Sequence, residues 1–474
     1  MAWLLSNEFL IGLYAINLGL VCFLVFFDKR EPSSVLTWSV ILLFVPFFGL
    51  ILYLFLGFGP HFGAKKKFLT KFSDDKKFQQ LVGQQRDALD ASAFREEIKE
   101  LARFNLDSNS LFSVDNEAQV FTDVGEFYED MLREIEKAKS FIHAEFFIIR
   151  DDESGRKFVN ALAKKAFEGL KVRVLFDDLG CARLRKNFFD CIVKSGGEVV
   201  PFFPSKLRWL KWNLNFRNHR KMVVIDGVCV YTWSSNIGNE YKGLNNRISP
   251  WIDCNLKIRG TAAMHYNLRF LQDFSFASGR QVEMEFNEHG VKSFLPVQVL
   301  SDGPDTNQGA IKQAYIKAIY SAKERVFIQT PYLIPDEAFK LALVTVAKCG
   351  VDVRIMIPAK PDKGYVYLAT QAYAAELAKA GVKIYMRKGF LHSKTLLVDD
   401  DISSIGTFNI DTRSFKLQFE VTIFIYDKGF GKQLEKVFME DLKQSAQLDS
   451  FYQSSKSWGR LAKERFMKLL TPLL

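Results

Sequence analysis

One ten-residue pattern occurs twice in this chain, and that repetition constrains the fold more than any other feature. NHRKMVVIDG at 218–227 and LHSKTLLVDD at 391–400 set His219, Lys221, Asp226 and His392, Lys394, Asp399 at a common spacing. In an extended chain, residues two apart project to the same side, so each His–Lys pair shares a face as the apolar run behind it enters a sheet. With six histidines in the chain, chance supplies about 0.02 matches to HxKxxxxD, so duplication explains the recurrence and coincidence does not. Two structural His–Lys pairs inherited by that duplication are the bland alternative to a site.

The flanks repeat as well. GLKVRVLF (169–176) is echoed by GVDVRIMI (350–357), and SGGEVVPF (195–202) by AGVKIYMR (380–387). Helical stretches FVNALAKKAFE and AFKLALVTVAK precede the first pair of strands. SFIHAEFFII at 140 and RVFIQTPYLI at 325 come before those, each after a helix ending in Ala-Lys. The spacing predicts helix–strand–helix–strand–helix–strand and then a hairpin, twice over. Such alternation gives α/β layers around a parallel or mixed sheet.

The N-terminus is of another kind. Residues 9–27 (FLIGLYAINLGLVCFLVFF) and 35–58 form two runs without a charged side chain. Each is near the ~20 residues that cross a hydrocarbon core as a helix. DKREPSS (28–34) between them predicts a polar turn, hence a two-helix transmembrane hairpin. The first run lacks the basic start of a cleaved signal peptide and has a second run directly behind it. Lys65, Lys66, Lys67, Lys71, Lys76 and Lys77 follow the second run and put the remainder of the chain in the cytoplasm; Lys29 and Arg30 pull weakly the other way. The net charge of +10 calls for an anionic partner. Two spans favour acidic lipid over nucleic acid. Six cysteines without metal-ligand spacing read as reduced, packed thiols.

If the two copies associate about a pseudo-twofold axis, both His–Lys pairs face one cleft. Two imidazoles and two ammonium groups tolerate each other around an anion, and a phosphodiester fits: lysines neutralise its oxygens, one neutral histidine attacks phosphorus, and the other, protonated, donates to the leaving alkoxide. The sequence has no HExxH, calcium-loop carboxylate cluster or P-loop, and no metal or cofactor is expected.

These residues resemble the phospholipase D superfamily, whose mark is the duplicated HxKxxxxD. TWSSNIGNEY (232–241) and GTFNIDTRSF (406–415) look like its downstream segments, with Asn236 and Asn409 at the asparagine positions. The N-terminal hairpin, EFFIIRDD (145–152), NHRKxVVIDG, IQTPYLIPD and the terminal LLTPLL resemble the bacterial cardiolipin synthases over essentially the whole chain. The resemblance implies two phospholipase D-like α/β sandwich repeats behind a transmembrane hairpin. Its domains would be 1–60 (hairpin), 61–114 (basic, largely helical linker), 115–296 (first repeat) and 297–474 (second repeat with an amphipathic tail).

It implies phosphatidyl transfer between two phosphatidylglycerol molecules through a phosphohistidine, in a bacterial inner membrane, with anionic phospholipids as partners and no nucleic acid. His219 is favoured over His392 as nucleophile; Lys221 and Lys394 bind phosphate, with Asn236 and Asn409 assisting. Asp226 and Asp399, third members of the motifs, look more like braces than proton carriers. Asp253 and Glu420 are better histidine-orienting carboxylates, and Asp253 is the expected partner of His219. A lipid phosphodiesterase, a synthase with another donor, a nuclease and an inactive lipid-binding scaffold are the rival readings.

Trp233 and Ser234 depart from the small-residue pair expected ahead of Asn236. The indole either narrows the pocket or packs within its hairpin. SKLRWLKWNLNFR (205–217) mixes cations with aromatics, as an exposed loop or a membrane-facing one. The tail WGRLAKERFMKLL either lies on the bilayer or packs against the domain. His61, His143, His265 and His289 lack a paired lysine and read as structural.

Overall fold

A computed structural model describes residues 7–28, 32–57, 76–90, 92–108, 110–204, 216–244, 249–282, 290–304, 309–448 and 456–471. The segment 61–75 with most of the expected lysine cluster, the loop 205–215, His61 and His289 lie outside them.

The first apolar run is one helix, Asn7–Phe26, long and apolar enough to cross a membrane. The second is not the single helix expected. It forms Pro32–Phe44, breaks at Val45, and resumes as Pro46–Leu52 and a wide turn at Tyr53–Gly57. Pro46 has no N–H and cannot serve the carbonyl of Leu42 one turn back. Asn17 of the first helix fills the gap, its Nδ2 donating to Leu42 O at 2.8 Å and Pro46 O at 3.1 Å. In an apolar surrounding such a carbonyl must find a partner within the protein. Leu24, Trp38, Leu42 and Tyr53 close the pair of helices into one small core.

The duplication is visible strand by strand. The first repeat contributes β1 (Asn116–Phe121), β2 (Phe141–Phe146), β3 (Lys171–Asp177), β4 (Glu198–Phe202), β5 (Met222–Ile225), β6 (Cys229–Thr232) and β7 (Asn255–Gly260). The second contributes β8 (Val297–Asp302), β9 (Arg325–Gln329), β10 (Asp352–Pro358), β11 (Lys383–Arg387), β12 (Thr395–Val398), β13 (Ile402–Gly406) and β14 (Gln418–Ile425). Their orders, β1-β7-β6-β5-β2-β3-β4 and β8-β14-β13-β12-β9-β10-β11, are identical, with parallel pairing at β2-β3-β4 and β9-β10-β11 and antiparallel pairing elsewhere. The helices before β3 and β10 (Glu153–Phe167 and Glu337–Lys348) are the crossovers that parallel neighbours need.

Each sheet is apolar on two faces. Helices Val124–Lys137 and Glu153–Phe167 cover the outer face of the first, packing Phe127, Met131 and Phe158 on Val174 and Val223. The inner faces meet in a shared core where Val224 and Ile258 join Val421 and Ile423. The described residues of the expected 61–114 linker extend the second repeat. Leu101 and Leu106 enter its core, Arg95 is bidentate with Asp401 (2.9 and 2.7 Å), and Leu111–Ser113 pairs with β8 at the sheet edge.

Two short parallel pairings bind the repeats. Arg217–Asn218 pairs with Gln418–Phe419, and Phe390–Leu391 pairs with Trp251–Ile252. The segment ahead of each motif histidine therefore joins the other half, and the exchange is reciprocal, as a pseudo-twofold axis requires.

Candidate active site

His219 and His392 emerge directly from those two exchanges. His219 N donates to Phe419 O at 2.9 Å and His392 N to Ile252 O at 2.8 Å. The next residue along each partner strand is a carboxylate, Glu420 or Asp253. The pairing is thus opposite to the one expected. His219 Nδ1 lies 2.9 and 3.0 Å from the two oxygens of Glu420, while Asp253 serves His392, with Oδ2 at 3.7 Å from its Nδ1. Asp253 is nearer to His219 in sequence, but the strand exchange hands it to the other half.

Hydroxyl groups complete both contacts. Ser234 Oγ donates to Asp253 Oδ1 and stands 3.1 Å from His392 Nδ1, bridging the longer gap. Thr407 Oγ1, the equivalent atom of the second copy, donates to Glu420 Oε2, and Ser414 Oγ donates to Oε1 at 2.9 Å. Sequence reasoning missed these three. The available signal was a hydroxyl two residues before each asparagine, at Ser234 and Thr407. Trp233 resolves plainly: its indole packs within the first repeat, 5.0 Å from the ring of Phe127 and 5.1 Å from Phe146.

The lysines mirror each other. Lys221 Nζ donates to His219 O and Lys394 Nζ to His392 O, both at 2.6 Å, and both side chains are buried. Arg220, between His219 and Lys221, alternates to the opposite side. Fully buried, it donates to Asp273 (2.9 Å), to Asp302 O (3.0 Å) and to Glu420 O (3.1 Å), tying the motif to the second repeat.

Burial and neighbouring charges shift both histidines, both lysines and both carboxylates. Burial and then Lys394 push His392 down to about 3. Burial, followed by Lys221, Lys394 and Lys363, holds His219 well below the imidazole range. Burial lowers Lys394 to about 7, against the pull of Asp253 and Glu420, and drives Lys221 down as well. Glu420 rises to about 7, chiefly by burial, although Lys221 and the Thr407 and Ser414 hydroxyls oppose the rise. Burial also works to raise Asp253, but His392, Lys394 and Ser234 hold it below the ordinary carboxylate value. Lysines of each half act on the histidine of the other, so both motifs share one field. A phosphodiester anion would restore charge to these ammonium groups.

Asp226 and Asp399 serve elsewhere. The carboxylate of Asp226 accepts from the backbone N–H groups of Lys139, Ser140 and Phe141; that of Asp399 accepts from Lys323, Glu324 and Arg325. Both residues have positive φ, 54° and 49°, at the turn that closes the motif hairpin. They pin that turn to the start of β2 or β9. Asn236 is buried near the site, its Oδ1 accepting from Ile148 N at 3.1 Å, and Asn409 is buried with Oδ1 unpaired. His143 stacks on Phe270 and bonds Asn267, and His265 is buried without a polar partner at either nitrogen. No group of three or more metal-ligating side chains occurs among the described residues.

Comparison with known proteins accords with this arrangement. A family described as "Cardiolipin synthase, PLD-like domain" matches residues 131–253 and 315–442, and "Phospholipase_D-nuclease N-terminal" matches 15–57. The major cardiolipin synthase of Bacillus subtilis is 39% identical over 99% of this chain and 100% of its own length. A cardiolipin synthase of Staphylococcus aureus is 38% identical over 99% of this chain and 97% of its own. The fold is shared with phosphatidylserine synthase of Haemophilus influenzae (TM-score 0.60, 16% identity, 79% of this chain and 100% of that one). Similar halves, reciprocal histidine–carboxylate pairs and full-length likeness lead to one assignment: the chain belongs to the cardiolipin synthases of the phospholipase D superfamily.

Proposed function

We propose that the protein makes cardiolipin from two molecules of phosphatidylglycerol and releases glycerol. The observation that carries this reading is the pair of buried His–Lys sites, each completed by a carboxylate of the other half, in a chain similar to cardiolipin synthases from end to end. Glu420 accepts the Nδ1–H of His219, which leaves the Nε2 lone pair for phosphorus. Direct contact with both carboxylate oxygens supports His219 as the nucleophile. As the N–P bond forms, the bond from phosphorus to the glycerol oxygen breaks, and His392, protonated once the anion is bound, gives that oxygen its proton.

In the second half-reaction a hydroxyl of the other phosphatidylglycerol loses its proton to His392 and attacks phosphorus. The N–P bond breaks and His219 is regenerated. Lys221 and Lys394, with Asn236 and Asn409, hold the phosphate oxygens and the charge that shifts between them. No metal or redox group enters the balance. Water in place of the lipid alcohol would give phosphatidic acid, so exclusion of water separates synthesis from hydrolysis.

The broken second helix, paired with the first through Asn17, supports a hairpin that enters and leaves one side of the membrane. The lysines after residue 60 favour the cytoplasmic side for both repeats. Purified protein in phosphatidylglycerol vesicles should yield cardiolipin and glycerol in equal amounts. Phosphatidic acid without cardiolipin would overturn the transferase reading. Phosphate trapped on His392 but not His219 would reverse the histidine roles.

A further inference from the structure

The C-terminal helix Trp458–Leu469 turns large apolar side chains away from the domain it packs on. A helix packed on a water-soluble domain normally buries its apolar stripe and leaves its charges in water. Here Glu464 and Lys468 lie on the inward side, beside Met467, which packs against Ile334, Ala369 and Tyr373. Glu464 is 2% exposed, held by Lys456 (3.0 Å) and Arg460 (3.1 Å), and Lys468 bonds Glu376 on the neighbouring helix Gly364–Lys379. Lys468 also lies over the ring of Tyr373 at 4.7 Å. The outward side carries Trp458, Ala462, Phe466 and Leu469, spaced 4, 4 and 3 residues apart and therefore on one face. Trp458 is 84% exposed, Phe466 59% and Leu469 71%.

Exposed Lys463 and Arg465 flank this stripe. An apolar face bearing tryptophan and bordered by cations matches the boundary of an anionic bilayer, where the ring sits among headgroups and the cations meet lipid phosphates. The chain also carries its own membrane-length helix, Asn7–Phe26. The helix is anchored towards the site: Thr412 Oγ1 donates to Thr471 O at 3.3 Å, and Thr412 begins the short helix whose Ser414 holds Glu420.

We infer that the outward face of Trp458–Leu469 docks on an anionic membrane surface and seats the catalytic repeats against their lipid supply. The inference deepens the lipid reading above, and its readout does not depend on turnover.

The test uses the full chain reconstituted in phosphatidylcholine vesicles with and without phosphatidylserine, an anionic lipid outside the proposed reaction. Tryptophan emission is compared between the wild type and Trp458→Phe, so that the difference isolates one of seven tryptophans. That difference should be quenched by lipids brominated near the headgroup and shielded from aqueous iodide. Lys463→Gln with Arg465→Gln should remove the gain that phosphatidylserine brings. Phe466→Asp with Leu469→Asp should abolish the bromolipid quenching while thermal stability and turnover of short-chain lipid in detergent persist. Quenching of Trp458 by iodide but not by bromolipid would overturn the inference. Protection from both would overturn it too, since a second protein surface would then cover the face.

Discussion

His219 and Glu420 lie 201 residues apart, yet Nδ1 of one stands 2.9 Å from Oε1 of the other. The contact crosses the boundary between the repeats, and Asp253 crosses in the opposite direction to His392. Neither half can then hold a complete site, because each owns the histidine whose orienting carboxylate belongs to the other.

Glu420→Gln and Asp253→Asn should each lower turnover by roughly 10²-fold or more, the scale of positioned acid–base catalysis. The stronger effect is expected at Glu420, which touches its imidazole directly. Single-turnover assays can separate the two. With a phosphatidyl donor whose leaving group needs no proton, such as p-nitrophenolate, Glu420→Gln should still slow formation of the phosphohistidine, whereas Asp253→Asn should leave that step close to wild type. If both variants slowed the same step equally, the division of roles would be wrong.

Ser234→Ala should leave buried Asp253 short of one donor, at a cost of about 1–3 kcal/mol. It should also shift the acid limb of the pH–rate profile, because the hydroxyl bridges Asp253 and His392. Ser234→Thr, which restores the atom found at Thr407, should recover most of the activity. A purely structural serine would change thermal stability and leave the pH profile where it was.

Asp226→Ala and Asp399→Ala should destabilise their repeats by about 1–3 kcal/mol, since backbone donors at the strand start lose their acceptor. Asparagine should be milder at both positions. It retains one acceptor oxygen and tolerates positive φ. Turnover per folded molecule should stay within a few-fold of wild type. A collapse of kcat in well-folded protein would return these aspartates to the reaction itself.

Lys394 supplies a test in pH. Its folded-state value of about 7 lies below the ordinary 10.5, so the unfolded chain binds more protons between those limits. Stability should therefore rise with pH through that window, relative to Lys394→Met. His392, held at about 3, acts in the lower window, and stability should fall as pH drops from 6.5 towards 3. Inorganic phosphate bound at about pH 8 should draw protons from the buffer as the ammonium recharges, an effect readable by calorimetry in two buffers. Lys394→Met should reduce that uptake.

The sequence by itself determined much of this protein. Duplicated His–Lys pairs at even spacing, ahead of apolar runs, dictated two similar α/β repeats and set each histidine and its lysine on one side of the chain, because strand period and motif spacing are local properties. It also marked Asp226 and Asp399 as turn braces, and an N-terminus too apolar for water. Only the tertiary structure decided which carboxylate serves which histidine. That choice rests on the reciprocal pairing of Arg217–Asn218 with Gln418–Phe419 and of Phe390–Leu391 with Trp251–Ile252, contacts between segments far apart in the chain and without a local signature. For the same reason Trp233 could be placed in the first repeat's core, and Ser234 beside His392, only once the strands were paired. Pro46 announced a break in the second apolar run, but that Asn17 would satisfy the carbonyl it strands depended on two helices lying side by side.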